Sequence, residues 1–195
     1  MIDLKQLKKI YQFTRDLGLD DVQMLLKEAK SQSYKKKEIL IPEGGRRNDV
    51  MYIRKGLVRC YHVNSKGEEI TFQFMPEHYM VANKDMILHE QPSRFYYEAF
   101  EPTKIYYLDY DVVQSIVLSN PKFIENRKYV WQKMFRHAQN RLESFVLHNP
   151  EERYLLFLKD YPDLINRVPD KYIANVLGIT PVSLSRIRKR IASKK

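Results

Sequence analysis

The sequence predicts an α+β chain in which an antiparallel β-roll is followed by a long helix and then by a small, strongly basic helical unit. Three observations predict it. Between Tyr34 and Leu108, short β-branched and aromatic runs are separated by turn residues. After Tyr110 the helical period returns, and from Asn120-Pro121 to His148 the chain runs without glycine or proline. The last sixth then carries most of the excess positive charge: from Leu164 to Lys195 there are eight basic residues against the single acid Asp170, part of a net +10.

A chain of 195 residues suits one large and one small domain, and the break at Asn149-Pro150 divides it into residues 1–148 and 149–195. Its 44% hydrophobic and 30% charged content is that of a globular protein. One cysteine, Cys60, excludes an internal disulfide and the Cys clusters of zinc or iron–sulfur sites, which predicts a reducing, cytoplasmic setting. The opening Met1-Ile2-Asp3-Leu4-Lys5 lacks the apolar core of a signal peptide. No run approaches the roughly 18 apolar residues of a membrane span, so neither export nor a membrane partner is expected.

Taken in order, Leu4, Leu7, Ile10 and Thr14 recur at helical spacing, and Asp20 or Asp21 can cap a second helical segment carrying Val22, Leu25, Leu26 and Ala29. The predicted strands are Ile39–Ile41, Val50–Ile53, Leu57–Val63, Glu69–Phe74, Phe95–Phe100 and Lys104–Leu108. Pro42-Glu43-Gly44-Gly45, Lys55-Gly56 and Asn64-Ser65-Lys66-Gly67 supply the turns between them. Ile70, Phe72 and Phe74 alternate with Thr71 and Gln73, which predicts that the apolar set is buried. The long helix, about 40 Å at 1.5 Å per residue, carries Phe123, Val130, Met134, Ala138, Leu142 and Phe145 as an apolar stripe. A stripe that outruns one small domain points to a homodimer interface. A further helix spans Glu151 to Lys159.

The segment from Val168 to Lys189 reads as two short helices about a tight turn. Asp170 can cap a first helix whose Ile173, Ala174 and Leu177 face inward, and Gly178 supplies the left-handed residue that ends it. Thr180 caps the second helix and Pro181 occupies its first position. This is the helix-turn-helix arrangement, whose second helix enters the major groove of double-stranded DNA. Pro181, Val182, Ser185, Arg186 and Lys189 would be exposed. Arg186 is the candidate for direct guanine readout, because a guanidinium bonds O6 and N7 together. Lys171, Thr180, Ser183, Arg188, Lys189 and Arg190 would serve the phosphates or extend the basic surface.

On Tyr172 to Arg188, and on Asp49-Val50-Met51-Tyr52-Ile53-Arg54-Lys55-Gly56-Leu57-Val58, the chain resembles the Crp/Fnr family of bacterial transcription regulators over nearly its whole length. The resemblance implies an N-terminal jelly-roll sensor like a cyclic-nucleotide-binding domain, a dimerising central helix, and a helix-turn-helix that binds a palindromic promoter site and contacts RNA polymerase. Departures matter as much. Where nucleotide-binding members grip ribose with Gly-Glu, this chain reads Tyr79-Met80-Val81-Ala82-Asn83; where they grip the phosphate with Arg-Ser, it reads Ser93-Arg94. A one-residue shift on a strand reverses the face. Cyclic AMP is therefore not expected to bind, no cofactor is predicted, and Tyr79, Asn83, Ser93 and Arg94 would line the region left for another effector. Val182 stands where the family carries an acid, so its target sequence does not transfer. The short tail after the second helix places any β wing before it.

Other chemistry finds no support. His62, His78, His89, His137 and His148 lack metal-ligand spacing, and there is no phosphate loop or nucleophile motif, so neither a metal nor an enzyme is predicted. The alternative from another class is a small-molecule-binding jelly-roll protein with an incidental basic tail, and a non-specific RNA binder is the third.

Overall fold

In the computed structural model, which describes residues 19–193, the chain is a two-sheet β-sandwich flanked by helices and followed by a helical unit packed against it. The segment Leu4 to Thr14, expected to be helical, lies outside the described residues. Helix α1 (Leu19–Glu28) leads into strands β1 (Lys30–Tyr34), β2 (Ile39–Ile41), β3 (Asp49–Lys55), β4 (Val58–Val63), β5 (Glu69–Met75) and β6 (Met80–Ala82). A short α2 (Lys84–His89) precedes β7 (Tyr96–Ala99) and β8 (Thr103–Asp109). One sheet has the order β1-β8-β3-β6, the other β2-β7-β4-β5, and every pairing is antiparallel.

Each expected strand forms, with ends shifted by a residue or two. Strands β1 and β6 are not expected: β1 is short on apolar signal, and β6, Met80-Val81-Ala82, is only three residues long. Strand β1 reads Lys-Ser-Gln-Ser-Tyr and buries only Tyr34. Between the sheets, Ile41, Met51, Ile53, Val58, Cys60, Tyr97, Ala99 and Ile105 pack into one core, with Tyr79 and Phe95 partly buried against it. Burial pushes the Cys60 thiol up to about 12, so it stays a neutral packing group.

Strand β5 corrects the expected burial of the whole Ile70-Phe72-Phe74 set. Phe74 is buried, but Ile70 and Phe72 are both 42% exposed and Thr71 is buried. The register of β5 against β4 slips between Cys60 and Tyr61, and such an irregularity breaks the strict alternation of faces. Thr71 turns inward because it has polar partners there. Its hydroxyl accepts from Arg59 Nε at 2.9 Å, and its amide donates to Asn175 Oδ1 at 3.4 Å.

Helix α3 (Tyr110–Ser119) ends at Asn120, which caps α4 (Pro121–Leu147), the long helix. Asn149 then caps α5 (Pro150–Asp160) with a reciprocal capping box closed by Glu152, which fixes the break between the two helices. A short α6 (Leu164–Arg167) leads to α7 (Asp170–Leu177) and α8 (Pro181–Ala192). The segment before α7 that was to hold any β wing is occupied by α6.

The sequence break at Asn149 is not a break in packing. Leu57 and Phe74 of the sandwich join Tyr154, Phe157, Leu164, Val168, Ile173, Ala174, Leu177, Leu184 and Ile187 in one buried cluster. Phe100 contributes edge-on contacts to both Phe74 and Tyr172. Full burial of each such aliphatic side chain is worth about 1.5–3 kcal/mol, so the helical unit draws part of its stability from the sandwich.

Candidate nucleic-acid interface

Helices α7 and α8 are held by the residues the sequence singled out. Ile173, Ala174, Leu184 and Ile187 are buried, three of them with no exposed surface. Gly178 adopts φ +67° and its amide donates to the carbonyls of Ala174 and Asn175. Thr180 accepts the backbone N–H of Ser183 at 3.1 Å, and Pro181 takes the first helical position. Asp170 differs from the expectation: Pro169 is the residue that precedes α7, and the Asp170 carboxylate instead pairs with Arg188 Nη1 at 2.7 Å.

The outward face of α8 presents Pro181, Val182, Ser185, Arg186 and Lys189 to solvent, with Val182 61% exposed. Thr180 and Lys171 are exposed beside it, and Ser183 is half-buried with its hydroxyl 2.9 Å from that of Thr180. Arg188 is a correction. Its Nε donates to the Tyr154 hydroxyl at 3.0 Å while Nη1 holds Asp170, so the guanidinium ties α8 to α5 and α7 and is withdrawn from the phosphate-facing set. Arg190 likewise pairs with Glu151 at the start of α5. Among the described residues, Arg186 and Lys189 enter no ion pair, which leaves them as the available cations of this face.

Behind the turn lie three residues that sequence reasoning did not connect to this site. Arg141 Nη2 on α4 donates to the Val176 carbonyl at 3.3 Å, and Arg153 Nε on α5 donates to the Leu177 carbonyl at 3.2 Å. Two cations therefore meet the negative end of α7. Both guanidiniums stack on Phe145, whose ring abuts Gly178. Phe145, expected in a dimer stripe, thus packs at the turn of the helix pair. Only the i, i+4 spacing of Arg141 and Phe145 hinted at this.

Two contacts clamp the helical unit to the sandwich. Arg59, 1% exposed, lies between the rings of Tyr61 and Tyr172, 4.2 and 4.5 Å from their centroids, and pairs with Glu69 at 2.7 Å. Arg167 binds Glu77 through two nitrogens at 2.9 and 3.0 Å, Glu101 at 2.6 Å and the Gly56 carbonyl at 3.2 Å. Burial by itself would raise the Glu77 carboxyl, but the Arg167 hydrogen bond overrides it and holds the group below its ordinary range. A carboxyl lowered in the fold contributes stability above its unfolded value, about 4.3, and loses it as pH falls through the lowered value. Acid titration of urea midpoints from about pH 5 to pH 3 should therefore show a component that Arg167→Gln removes. Parallel slopes in both proteins would refute the clamp.

The effector-region residues are each otherwise engaged. Asn83 is buried, caps α2 and donates to the Gly45 carbonyl at 3.1 Å. The Ser93 hydroxyl donates to the Phe95 carbonyl at 2.7 Å. Arg94 points outward and binds Asp85 through Nε and Nη2 at 3.0 and 2.8 Å. The Tyr79 hydroxyl donates to that of Tyr161 at 3.3 Å, which also lies 3.0 Å from His137 Nε2. An open cleft of about 550 Å³ lies elsewhere, between the β4–β5 hairpin and the helix pair, lined by Gly67, Glu69, Lys171, Tyr172, Asn175 and Pro181.

Along α4 the exposed stripe overlaps the expected one in its C-terminal half and departs from it in its N-terminal half. Phe123 is 3% exposed against Val117, with Leu25, Val113 and Ile116 packed around the pair, and Val130 and Met134 are half-buried. Of the expected stripe Ala138, Leu142 and Phe145 are exposed, Leu142 at 67% and Phe145 at 40%, and Ile124, Trp131, Phe135 and Val146 are exposed with them, Phe135 at 71%. Packing of α3 on α4 takes the Phe123 face first. Among the described residues no helix is long and apolar enough to cross a membrane, and no group of three or more His, Cys, Asp or Glu side chains is placed to hold a metal.

Residues 31–120 match the family model of the cyclic nucleotide-binding domain. No curated protein matches the chain. Among solved structures, FixK2 from Bradyrhizobium japonicum is similar at 20% identity with a TM-score of 0.73, covering 85% of this chain and 85% of that one. A CooA mutant from Carboxydothermus hydrogenoformans is similar at 22% identity and 0.69, covering 93% and 87%. Thermus thermophilus Catabolite Activator Protein is similar at 16% identity and 0.58, covering 95% and 87%. The sandwich therefore resembles the cyclic nucleotide-binding domain over residues 31–120. The chain as a whole has the fold of the Crp/Fnr regulators, the group its sequence resembles.

Proposed function

We propose that this chain is a homodimeric DNA-binding transcription regulator of the Crp/Fnr type, not an enzyme, with residues 1–148 as sensor and dimerisation domain and residues 149–195 as the DNA-reading helix-turn-helix domain. The observation that carries the reading is the division of α8 into two faces. Leu184 and Ile187 are buried, while Pro181, Val182, Ser185, Arg186 and Lys189 stand free at the end of the helix that a major groove admits. Arg186 reads guanine, Val182 meets a thymine methyl, and Thr180, Ser183, Lys171 and Lys189 hold phosphates. Two copies joined along α4 present two such helices to a palindromic promoter site, and RNA polymerase is the further partner.

Cyclic AMP is not the effector in this reading. A cyclic phosphate would have to displace Asp85 from Arg94 and Phe95 from Ser93, and Tyr97, Met51 and Ile105 fill the sandwich interior. That filling also weighs against a small-molecule-binding jelly roll with an incidental basic tail.

Competition between promoter fragments and random DNA at rising salt tests the assignment, since base readout persists while phosphate binding fades. Arg186→Ala should relax preference at one base position per half-site at a cost of about 1–3 kcal/mol. Uniform weakening across all sequences would reassign Arg186 to the backbone.

A further inference from the structure

We propose that Tyr161, held between Tyr79 and His137, is the residue that positions the DNA-reading helix pair against the long helix. The angle so fixed sets the half-site spacing that the dimer accepts, and a proton on His137 releases it. The inference rests on the dimeric, DNA-reading assignment above and deepens it by naming what regulates that site.

The chain folds back on itself at Asn149. From His137 to the end of α4 at Leu147 is about 15 Å, and from Pro150 to Tyr161 about 17 Å, at 1.5 Å per residue. Arms of nearly equal length bring Tyr161 beside His137, with the hydroxyl 3.0 Å from Nε2. Helix α5 is therefore anchored at both ends. At its start Asn149 closes the capping box, and Arg153 Nη1 donates to the His148 carbonyl at 2.8 Å. At its far end the Tyr161 hydroxyl also accepts from Tyr79 at 3.3 Å, which ties the sandwich to the same point. One anchor leaves a swivel, whereas two fix a direction. Tyr161 moves with the reading helix, because its ring packs on Phe157 with 5.3 Å between centroids, and Phe157 shares a buried cluster with Leu184 and Ile187 of α8.

The hydroxyl chain has a direction. Burial holds both tyrosines above their ordinary ionisation range, so each keeps its proton. Tyr79 donates to Tyr161, and the one proton Tyr161 has to give goes to Nε2 of a neutral His137 that carries its own proton on Nδ1. A second proton, on Nε2, turns that acceptor into a donor and leaves the Tyr161 O–H without its partner. The groups facing the ring oppose the proton on balance. Partial burial, Lys84 of α2 and Arg141 of α4 lower the His137 pKa, against Asp160 of α5, which raises it, and Tyr161 faces it as a neutral hydroxyl. With the lock open the ring returns to water and its ordinary value, about 6.5, so the open state takes up the proton first. The locked form is favoured in full above about pH 6.5 and loses ground as pH falls toward the lowered value. His137 is exposed and lies on the face of α4 that carries Arg141, away from Phe135 and Leu142, so dimerisation along that stripe leaves it open to solvent.

Half-site spacing amplifies the lock. Two copies joined along α4 hold their α8 helices at a separation that must match a turn of the duplex. One base-pair step is about 3.4 Å, so a shift of about 1.7 Å by each reading helix changes the accepted spacing by one step. Opening the 3.0 Å contact between Tyr161 and His137 permits movement on that scale. Base preference within a half-site belongs to α8, which the lock does not touch, so spacing is the quantity that responds.

The test selects binding sites for the full chain from a random duplex library at about pH 7.5 and about pH 5.5, on either side of the ordinary histidine value. Wild-type protein should select paired half-sites at one spacing at the higher pH and a spread of spacings at the lower. Competition between duplexes that differ by one base pair in spacing should show discrimination falling about threefold to tenfold, the scale of one hydrogen bond. Tyr161→Phe keeps the ring on Phe157 and should show the spread at both pH values with its half-site bases unchanged. His137→Gln keeps a neutral acceptor that does not titrate, and should hold one spacing at both. The wild-type comparison across pH needs no variant to fold. One wild-type spacing at both pH values, a pH effect that survives in His137→Gln, or a Tyr161→Phe chain that binds more weakly at unchanged spacing would each overturn the proposal and leave the α8 assignment standing. Absence of any paired half-site from the wild-type selection would overturn both.

Discussion

Gly178→Ala is expected to unfold the turn of the helix pair and to remove site-specific DNA binding. Two costs combine at this position. The residue sits at φ +67°, where a Cβ costs about 1–2 kcal/mol. That Cβ would also lie 2.8 Å from Phe145 Cε1, closer than packed carbons approach. Phe145 is held from behind by Arg141 and Arg153, so relief by moving the ring disturbs both bonds to the α7 carbonyls. Urea unfolding should show a total loss of about 2–4 kcal/mol. Phe145→Leu in the same chain should return the steric part and leave the backbone part. A loss below about 1 kcal/mol for Gly178→Ala would mean that the turn adopts another conformation in solution.

Phe135→Glu combined with Leu142→Glu is expected to yield a folded monomer. These side chains are 71% and 67% exposed and touch none of the buried clusters, so unfolding of the single chain should hardly change. Affinity for a palindromic site should fall by about 100-fold or more as the second half-site is lost. Phe123→Ala is the contrasting variant: its ring is buried within the protomer, and its removal should cost about 3–5 kcal/mol of stability. Sedimentation of the double variant as an intact dimer would remove α4 from the interface.

The helix pair was the most legible part of the chain because its signals are local. Gly178, Thr180 and Pro181 each act within four residues of themselves, and Ile173, Ala174, Leu184 and Ile187 declare their faces by spacing alone. The strands were legible wherever apolar residues cluster. Strand β1 escaped notice because an edge strand of Lys-Ser-Gln-Ser-Tyr draws its stability from hydrogen bonds to β8, which leave no mark on composition. Strand β5 misled because a register slip opposite Cys60 and Tyr61 depends on the neighbouring strand.

The assignments that moved are those in which one side chain must choose among several partners. Arg188 and Arg190 read as free cations until Asp170, Tyr154 and Glu151 were placed beside them. Phe123 reads as a member of the stripe until α3 claims it, while Phe145, 40% exposed, meets the Gly178 turn with one edge. Sequence alone determined the longer helices, most of the strands and where the reading helix begins, because caps, turns and periodicity are properties of neighbouring residues. Only the tertiary structure decided which cations remain free, which apolar face is left open, and that Arg59 and Arg167 bind the helical unit to the sandwich. Ion pairing and burial are settled by groups up to a hundred residues apart in the chain, and no local pattern encodes them.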